Sequence, residues 1–370
     1  MVLPDELLHQ ITLESPLTDE MGSFPVSSFK ALADAGLLDC VLPTRPLDYS
    51  KPDTEQLLQL LKQIGSADLS VGRIYEGHIN ALNLVHLFAN EAQKEQWYKD
   101  VTERKMLFGV WNTQAADGIR IHALDNGRYR LEGSKTFCSG AGYINRPLIT
   151  GMLSGTTITG WQMCIIPMEK GKPVIEDPSF WKPLGMRASV SYRMDFTGVE
   201  LEEKDLLGKP ELYYHQPVFS GGAIRFAAVQ LGGAEAIFNA AREYLQSLGR
   251  IDDVFQRSRM AEMACLLASG NLWIENAGKK TDEWLEDPLQ TDRLVAFANM
   301  TRTAMEEICL RTIQLAERCV GARGLMRPNV LERVHRDLTF YLRQPAPDAT
   351  LTAIGGYVLN QKITAHELWR

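Results

Sequence analysis

The stretch Asp125-Asn126-Gly127-Arg128-Tyr129-Arg130-Leu131 carries the signal that decides the fold of this 370-residue chain. An Asp-Asn-Gly turn beside alternating polar and apolar residues is typical of a β-hairpin. Short apolar runs continue on both sides, separated by turn sequences such as Gly171-Lys172-Pro173 and Lys182-Pro183-Leu184-Gly185. The pattern predicts a small β-domain over residues 106–210, with strands near residues 107–110, 129–131, 148–152, 163–167 and 192–196.

The segment before this region, residues 1–105, has helical periodicity instead. Residues 28–38 form an amphipathic pattern that closes at Gly36, a residue suited to the end of a helix. Asp53 can cap the next helix, whose apolar face is made of leucines and Ile64. The apolar residues from Leu82 to Phe88 predict a largely buried helix.

Helical periodicity returns after the β-domain, over residues 211–370. Residues 224–234 are rich in alanine and glycine, so this helix should pack closely against another helix. Residues 302–319 predict a long amphipathic helix that ends at Gly321 and Gly324. The chain therefore divides into three predicted domains, 1–105, 106–210 and 211–370, in the order helices, strands, helices.

The composition narrows the class of protein. Hydrophobic residues make up 45% of the chain, charged residues 23%, and the net charge is -7. A negative surface repels nucleic acid and anionic membranes, so we expect neither as a partner. The acidic start lacks the features of a signal peptide, and no apolar run is long enough to span a membrane. The scattered cysteines and histidines predict reduced thiols, no metal site and a cytoplasmic location.

Several segments resemble motifs of the acyl-CoA dehydrogenase superfamily. Residues 133–141, Gly-Ser-Lys-Thr-Phe-Cys-Ser-Gly-Ala, are similar to its flavin-facing strand, and residues 185–189 to its G-x-R-x-S strand. Residues 320–324, followed by Arg336-Asp337, resemble its closing glycine-rich region. The resemblance implies an α+β multidomain fold with an N-terminal α-helical domain, a central β-barrel domain and a C-terminal four-helix-bundle-like domain.

The resemblance also implies a bound flavin, FAD, where the barrel meets the C-terminal bundle. Phe137 matches the aromatic residue that covers the flavin ring, and Ser139 matches a hydroxyl near the reactive nitrogen. The resemblance implies contacts with the cofactor from the loop after the first strand, the adenine-side position and the glycine turn, which are Val110, Trp111, Asn112, Arg318 and Gly321.

The usual carboxylate base of an acyl-CoA dehydrogenase is missing. Counting from Arg336, its common position falls on Pro345, and Ile224 occupies the alternative position before Arg225. Asp348 is the nearest acid and the candidate catalytic residue, although a helix N-cap is an alternative role for it. Glu76 is a second candidate, with an exposed helix carboxylate as the alternative.

The resemblance leaves three functions open. The first is flavin-dependent oxidation of an acyl thioester, with acyl-CoA or a carrier-bound acyl group as substrate. The second is flavin monooxygenation, because residues 137–141 and 336–355 look closer to that branch of the superfamily, which needs no such base. The third is a non-catalytic partner protein. In each case the resemblance predicts a homodimer or homotetramer.

Overall fold

The N-terminal region is helical, as predicted. The structure, a computed structural model, describes residues 2–116, 118–169, 175–343 and 346–370. The turn Gly171-Lys172-Pro173 and Pro345 therefore lie outside the described residues. The helices of this region are Asp5–Met21 (α1), Val26–Asp34 (α2), Thr54–Ala67 (α3), Leu69–Phe88 (α4) and Glu91–Thr102 (α5).

Two features of these helices test the sequence predictions directly. The helix α2 ends at Asp34, and Gly36 follows with a φ of +68°, which confirms the predicted stop. Asp53 precedes α3, but its carboxylate accepts a hydrogen bond from the Gln56 side chain and caps no backbone N–H. The capping prediction was wrong because Asp53 does not have the extended backbone of a capping residue, with φ −109° and ψ 16°.

The middle of the chain is a β-domain. Among the described residues, its strands form a seven-stranded curled sheet and a three-stranded sheet. The strands are Phe108–Trp111 (β1), Arg120–Ala123 (β2), Arg128–Glu132 (β3), Ser134–Cys138 (β4), Arg146–Ser154 (β5), Gly160–Ile165 (β6), Ile175–Asp177 (β7), Tyr192–Asp195 (β8), Glu200–Glu202 (β9) and Leu206–Leu207 (β10).

The predicted hairpin is present. Strands β2 and β3 pair antiparallel, and a 3₁₀ turn at Asp125–Gly127 joins them. Ile121 and Leu131 are partners in this register, and both are buried. The strand β1 lies parallel to β5, and β4 lies antiparallel to β8 in the smaller sheet. The ends of β1 and β4 thus belong to different sheets, and the polar groups of the candidate site follow both strands.

The C-terminal region is helical again. Its helices are Val218–Gly221 (α6), Ala223–Ser247 (α7), Val254–Trp284 (α8), Thr291–Gly324 (α9), Val330–Tyr341 (α10) and Pro347–Leu359 (α11). The close approach predicted for residues 224–234 is confirmed, because a Cβ at Gly232 would collide with the backbone oxygen of Lys62 in α3. Gly321, with φ 60° and ψ −169°, breaks the helical conformation of α9 near its end.

The helix α10 connects the three regions. Arg333 forms an ion pair with Asp68, the N-cap of α4, at 3.0 Å, and Arg336 pairs with Asp19 of α1 at 2.7 Å. The Met186 N–H, in the loop before β8, donates to the Asp337 carboxylate at 2.5 Å. The predicted α+β architecture, with a β-domain between two helical regions, is confirmed.

Three further observations concern the whole described chain. No helix in the described residues is long and apolar enough to cross a membrane. The cysteines are free thiols, and all but Cys265 are buried. In the same part of the chain, no group of three or more His, Cys, Asp or Glu residues could hold a metal ion.

Candidate functional site

The end of β1 is fixed from two sides. His78 of α4 accepts a hydrogen bond from the Phe108 N–H at 3.0 Å and binds the Leu38 carbonyl through its other ring nitrogen, which ties the strand to the N-terminal helices. Trp111 is only 1% exposed, and its indole N–H donates to the Ser139 carbonyl at 2.9 Å. The Trp111 side chain thus joins the ends of β1 and β4. Because this side chain is buried, the predicted contact with a cofactor would have to come from the backbone groups of Trp111.

Asn112, the next residue, has a defined orientation. Its Oδ1 accepts a hydrogen bond from the Thr150 hydroxyl, and its backbone carbonyl accepts one from the Lys135 ammonium at 3.1 Å. Its Nδ2 donates to the Tyr214 hydroxyl at 3.4 Å. Because the amide oxygen is used inside the protein, the amide N–H groups of Asn112 are directed away from the core.

Lys135 is fully buried beneath this loop. Its Nζ also donates to the Thr150 hydroxyl at 3.3 Å, and no carboxylate pairs with it among the described residues. Burial lowers the pKa of Lys135 to about 7, against smaller opposing effects of Cys164 and Cys138. Lys135 therefore supports Asn112 through hydrogen bonds rather than through an ion pair.

Phe137 and Ser139 lie at the end of β4. The Phe137 side chain is 45% exposed, and its backbone has a φ of +54°, which is unusual for a large residue. Phe180 and Trp181 contact it edge to face, with ring centres 5.3 and 6.1 Å away. The Ser139 hydroxyl lies 2.9 Å from that of Ser191, which continues the hydrogen-bonded chain to Ser189 at 2.8 Å. An exposed aromatic ring beside oriented hydroxyl groups suits a planar ligand with polar edges.

A cavity of about 410 Å³ adjoins this aromatic group. Trp181, which contacts Phe137, forms part of its wall. Lys182 and Arg187 are the cations of the wall, and neither has a carboxylate partner among the described residues. The full lining is Glu20, Met21, Gly22, Pro178, Trp181, Lys182, Pro183, Arg187 and Tyr192.

A second group of polar residues lies on and around α4, the helix that packs against β1. Glu76 of α4 is 3% exposed and forms an ion pair with Arg73 at 2.6 Å, so the expectation of an exposed helix carboxylate was wrong. The helix α4 is buried on most sides between the β-domain and α7, and the sequence around Glu76 does not reveal this. A Cβ at Gly77 would lie 3.7 Å from the Arg73 Nη1 and 4.0 Å from the Val110 N, which sets this pair beside β1.

Arg225 completes this group from the first turn of α7. Its Nη2 donates to the Asn80 Oδ1 of α4 at 2.6 Å. Tyr213 is close enough to Glu76, Arg73 and Arg225 for all three to act on its hydroxyl; burial is the main cause of its raised pKa. The sequence analysis missed Arg73, Asn80 and Tyr213. The helical spacing of three polar residues, Arg73, Glu76 and Asn80, in an otherwise apolar segment was the available signal.

The remaining predicted site residues lie elsewhere in the chain. Asp348 is exposed in the first turn of α11, and Ala346 occupies the N-cap position, so the alternative role of Asp348 as N-cap was wrong. Arg318 and Gly321 are exposed near the end of α9, which packs mainly against α7 and α8. The fold thus brings together five of the predicted site residues, which are Val110, Trp111, Asn112, Phe137 and Ser139. Among the described residues, Asp348, Arg318 and Gly321 make no hydrogen bond or ion pair with these five.

Comparisons with known proteins identify the family. Residues 12–105 match the acyl-CoA dehydrogenase N-terminal domain, and residues 224–342 match the acyl-CoA dehydrogenase C-terminal domain. A dibenzothiophene monooxygenase of Rhodococcus erythropolis is 24% identical over 249 residues, which are 63% of this chain and 58% of that relative. A probable FMNH2-dependent monooxygenase, SfnC, of Pseudomonas putida is 24% identical over 98% of this chain and 95% of its own length.

A solved structure shares the whole fold. The dibenzothiophene monooxygenase TdsC of a Paenibacillus species, crystallised with FMN and indole, superposes with a TM-score of 0.87. The superposition covers 99% of this chain and 98% of that one, at 20% sequence identity, so it shows the fold alone. The matches to both terminal domains and the shared fold agree with the motif resemblance noted in the β-domain. The chain therefore belongs to the acyl-CoA dehydrogenase superfamily.

Proposed function

We propose that this protein is a flavin-dependent monooxygenase that uses reduced flavin and dioxygen. The observation that carries the proposal is the neutral character of the hydrogen-bonding side chains that follow β1 and β4, which are Asn112 with its partner Tyr214 and Ser139 with its partner Ser191. Oxidation of an acyl thioester needs a carboxylate base within hydrogen-bond reach of the substrate. Two described carboxylates lie near this site. Glu76 already pairs with Arg73, and Glu20 lines the cavity that contains Trp181; monooxygenation requires neither of them as a base.

The residues present fit a flavin ring. Phe137 offers a half-exposed aromatic surface, and the Asn112 amide and the Ser139 hydroxyl offer polar contacts for the ring edge. A bound reduced flavin would supply the two electrons with which dioxygen is activated. The sequence analysis predicted FAD, and we propose FMN instead, because TdsC was crystallised with FMN and SfnC is named as a probable FMNH2-dependent enzyme.

The overall reaction balances with one substrate, one O2 and one reduced flavin. One oxygen atom would be transferred to the substrate and the other would leave as water, with the two electrons and two protons supplied by the reduced flavin. In this reaction Trp111 and Lys135 hold the loop that carries Asn112, and the Asn112 N–H groups and the Ser139 hydroxyl orient the cofactor. The buried position of β1 between α4 and β5 limits the access of water from behind.

Reconstitution with a flavin reductase tests the proposal. The protein, FMN, NADH and isotopically heavy O2 are incubated with dibenzothiophene or indole, the compounds named for its relatives, and the products are analysed by mass spectrometry. Incorporation of a single heavy oxygen atom supports the proposal. Titrations with FMN and FAD measure the cofactor preference, and binding of neither flavin would favour a non-catalytic partner protein.

Oxidation of an acyl thioester is the second candidate, favoured by one observation: Glu76 is buried on α4, the helix that packs against β1, rather than exposed. Its substrate would be acyl-CoA or a carrier-bound acyl group. Anaerobic mixing of the flavin-loaded protein with butyryl-, octanoyl- and palmitoyl-CoA tests it. Bleaching of the flavin that disappears in Glu76→Gln or Asp348→Asn would support a dehydrogenase, and Asp348 stays the catalytic residue predicted from the sequence until this is measured.

We also propose that the protein forms a homodimer or homotetramer. Large apolar side chains are exposed on α8 and α11, including Phe255 at 69% and Leu359 at 87%. Exposed apolar surface of this kind is typical of protein interfaces. Light scattering that returns the 41.5 kDa mass of one chain would contradict the proposal.

A further inference from the structure

One group of polar residues carries more positive than negative charge inside the protein. The arginine crevice, as we name it, consists of Arg73, Glu76, Asn80, Tyr213 and Arg225, contributed by α4, α7 and the segment before α6. It contains two guanidinium groups and one carboxylate, so its formal charge is +1. Arg73 keeps 29% of its side-chain surface accessible, so the crevice is open to solvent at this residue, whereas Glu76 is buried.

The excess charge belongs to Arg225. Among the described residues, its hydrogen-bond partner is Asn80, a neutral amide, and no carboxylate pairs with it. The Nε of Arg225 is buried and has no hydrogen-bond partner in that part of the chain. An arginine side chain stays protonated in proteins, so Arg225 cannot avoid the cost of burial by losing its charge.

The position of Arg225 in α7 increases this positive potential. Arg225 is in the first turn of a helix of 25 residues, where the helix dipole favours a negative charge. The guanidinium group lies over the preceding turn, and a Cβ at Gly222 would be 2.7 Å from its Nη2. A partly buried cation at this end of a helix, with an unused donor, is stabilised by an anion.

The crevice adjoins the candidate flavin site. Gly77 of α4 is near both groups, because a Cβ there would lie 3.7 Å from the Arg73 Nη1 and 4.0 Å from the backbone N of Val110, two residues before Asn112. Tyr213 is next to Tyr214, whose hydroxyl accepts a hydrogen bond from the Asn112 amide. The crevice is therefore linked to Asn112 through Tyr213 and its neighbour Tyr214.

We propose that the substrate carries a compact oxyanion, a carboxylate or a sulfur oxyanion, which binds to Arg225. This inference rests on the proposed function, since it assigns the substrate class of the same site. The oxyanion accepts a hydrogen bond from the Nη1 of Arg225, which no described residue uses, whereas Nη2 is already bound to Asn80. The rest of the substrate extends toward Asn112.

The test compares anions with neutral molecules of nearly the same shape. Benzoate is paired with benzamide, and methanesulfonate with methanesulfonamide, and each is titrated calorimetrically into the FMN-loaded protein. At least one anion should bind about ten- to a hundredfold more tightly than its amide, as expected for hydrogen bonds with a charged group. Equal affinities within both pairs, or no binding of either anion, would overturn the proposal without any variant.

Variants then identify the residue. Arg225→Gln should remove the preference for the anion, and Arg225→Met serves as a second neutral variant if the first fails to fold. Arg293→Gln, which changes a partly buried arginine of α9 that donates to the Leu368 and Glu367 carbonyls, is the matched control and should keep the preference. A preference lost in Arg293→Gln and kept in Arg225→Gln would contradict the assignment.

A parallel FMN titration separates the two sources of an anion. If Arg225→Gln loses affinity for FMN rather than for the small anions, Arg225 serves the cofactor and the proposal is wrong. Failure of the proposed monooxygenase function gives a different result from failure of the oxyanion proposal. If the monooxygenase function is wrong, the wild-type protein does not bind FMN or incorporate oxygen. Its preference for benzoate over benzamide can still be measured in the flavin-free protein.

Discussion

A buried arginine, Arg336, and a partly buried one, Arg225, have opposite surroundings. Arg336 of α10 makes hydrogen bonds through all three of its nitrogens, to the carboxylates of Asp19 and Glu332 and to the Leu184 carbonyl. Burial lowers the pKa of Arg336, but these hydrogen bonds outweigh that effect and raise it above its usual value. Arg225 of α7 has a neutral partner and an unused buried donor.

The difference separates a structural role from a binding role. Around Arg336 and Arg333, the carboxylates of Asp19, Asp68, Glu332 and Asp337 outnumber the arginines, so each cation is neutralised within the chain. Because carboxylates are in excess here, one of them is destabilised in its charged form: burial and the neighbouring Asp68 raise the pKa of Asp337 to about 7. A cation that the chain leaves without an anion, such as Arg225, is a candidate for contact with a ligand.

The largest effect is expected from breaking the neutralised group. Arg336→Met should destabilise the protein by about 3–5 kcal/mol, because it leaves the buried Asp19 carboxylate without its cation. Urea denaturation followed by circular dichroism measures the loss. Arg343→Met is the control, since Arg343 and Glu306 form a more exposed pair that should contribute less than about 1 kcal/mol. Equal losses in the two variants would show that burial does not distinguish them.

Lys135 extends the comparison to a buried cation that can lose its proton. Its pKa is about 7 in the folded protein and near 10.5 in the unfolded chain, so between these pH values the unfolded state binds more protons. Stability should therefore rise with pH across this window in the wild type relative to Lys135→Met, by at most about 1.4 kcal/mol per pH unit.

The measurement for Lys135 is a series of urea denaturations from pH 6 to pH 10 on both proteins, a range chosen around the shifted pKa. Below pH 7 the lysine is protonated in both states, and the two curves should run parallel there. Parallel curves over the whole range would mean that the buried lysine stays charged.

A smaller effect is expected at the neutral hydroxyl of the candidate flavin site. Ser139→Ala should weaken FMN binding about three- to tenfold, since it removes one hydrogen bond, and should leave the fold intact. Quenching of flavin fluorescence measures the affinity. Ser247→Ala, at an exposed serine near the end of α7, is the control. Unchanged affinity in Ser139→Ala would remove Ser139 from the site.

The smallest effect concerns stability at Arg225. Arg225→Gln should change the free energy of unfolding by less than about 1 kcal/mol in the absence of ligand, because no carboxylate loses its partner. The same denaturation experiment is used as for Arg336→Met. If Arg225→Gln lowered the free energy of unfolding as much as Arg336→Met, Arg225 would be a structural residue. The two arginines would then not differ in role.

Local sequence determined the order of the elements and several of their ends. The Asp125–Gly127 turn, the stop at Gly36 and the small residues of α7 act through the backbone conformation or size of each residue, so they can be identified without knowing their neighbours. The motif at residues 133–141 likewise indicated the strand that carries Phe137 and Ser139.

Burial and pairing were decided by the tertiary structure. Glu76 was expected to be exposed, and it is buried because α7 and the β-domain cover α4. Asp53 was expected to cap α3, but the carboxylate that accepts from the Thr54 N–H comes from Asp282, distant in the chain. Arg225 meets Asn80 across 145 residues, and Arg336 meets Asp19 across 317. Such long-range contacts decide whether an arginine forms an ion pair with a carboxylate. Residue types and their spacing along the chain do not specify these contacts.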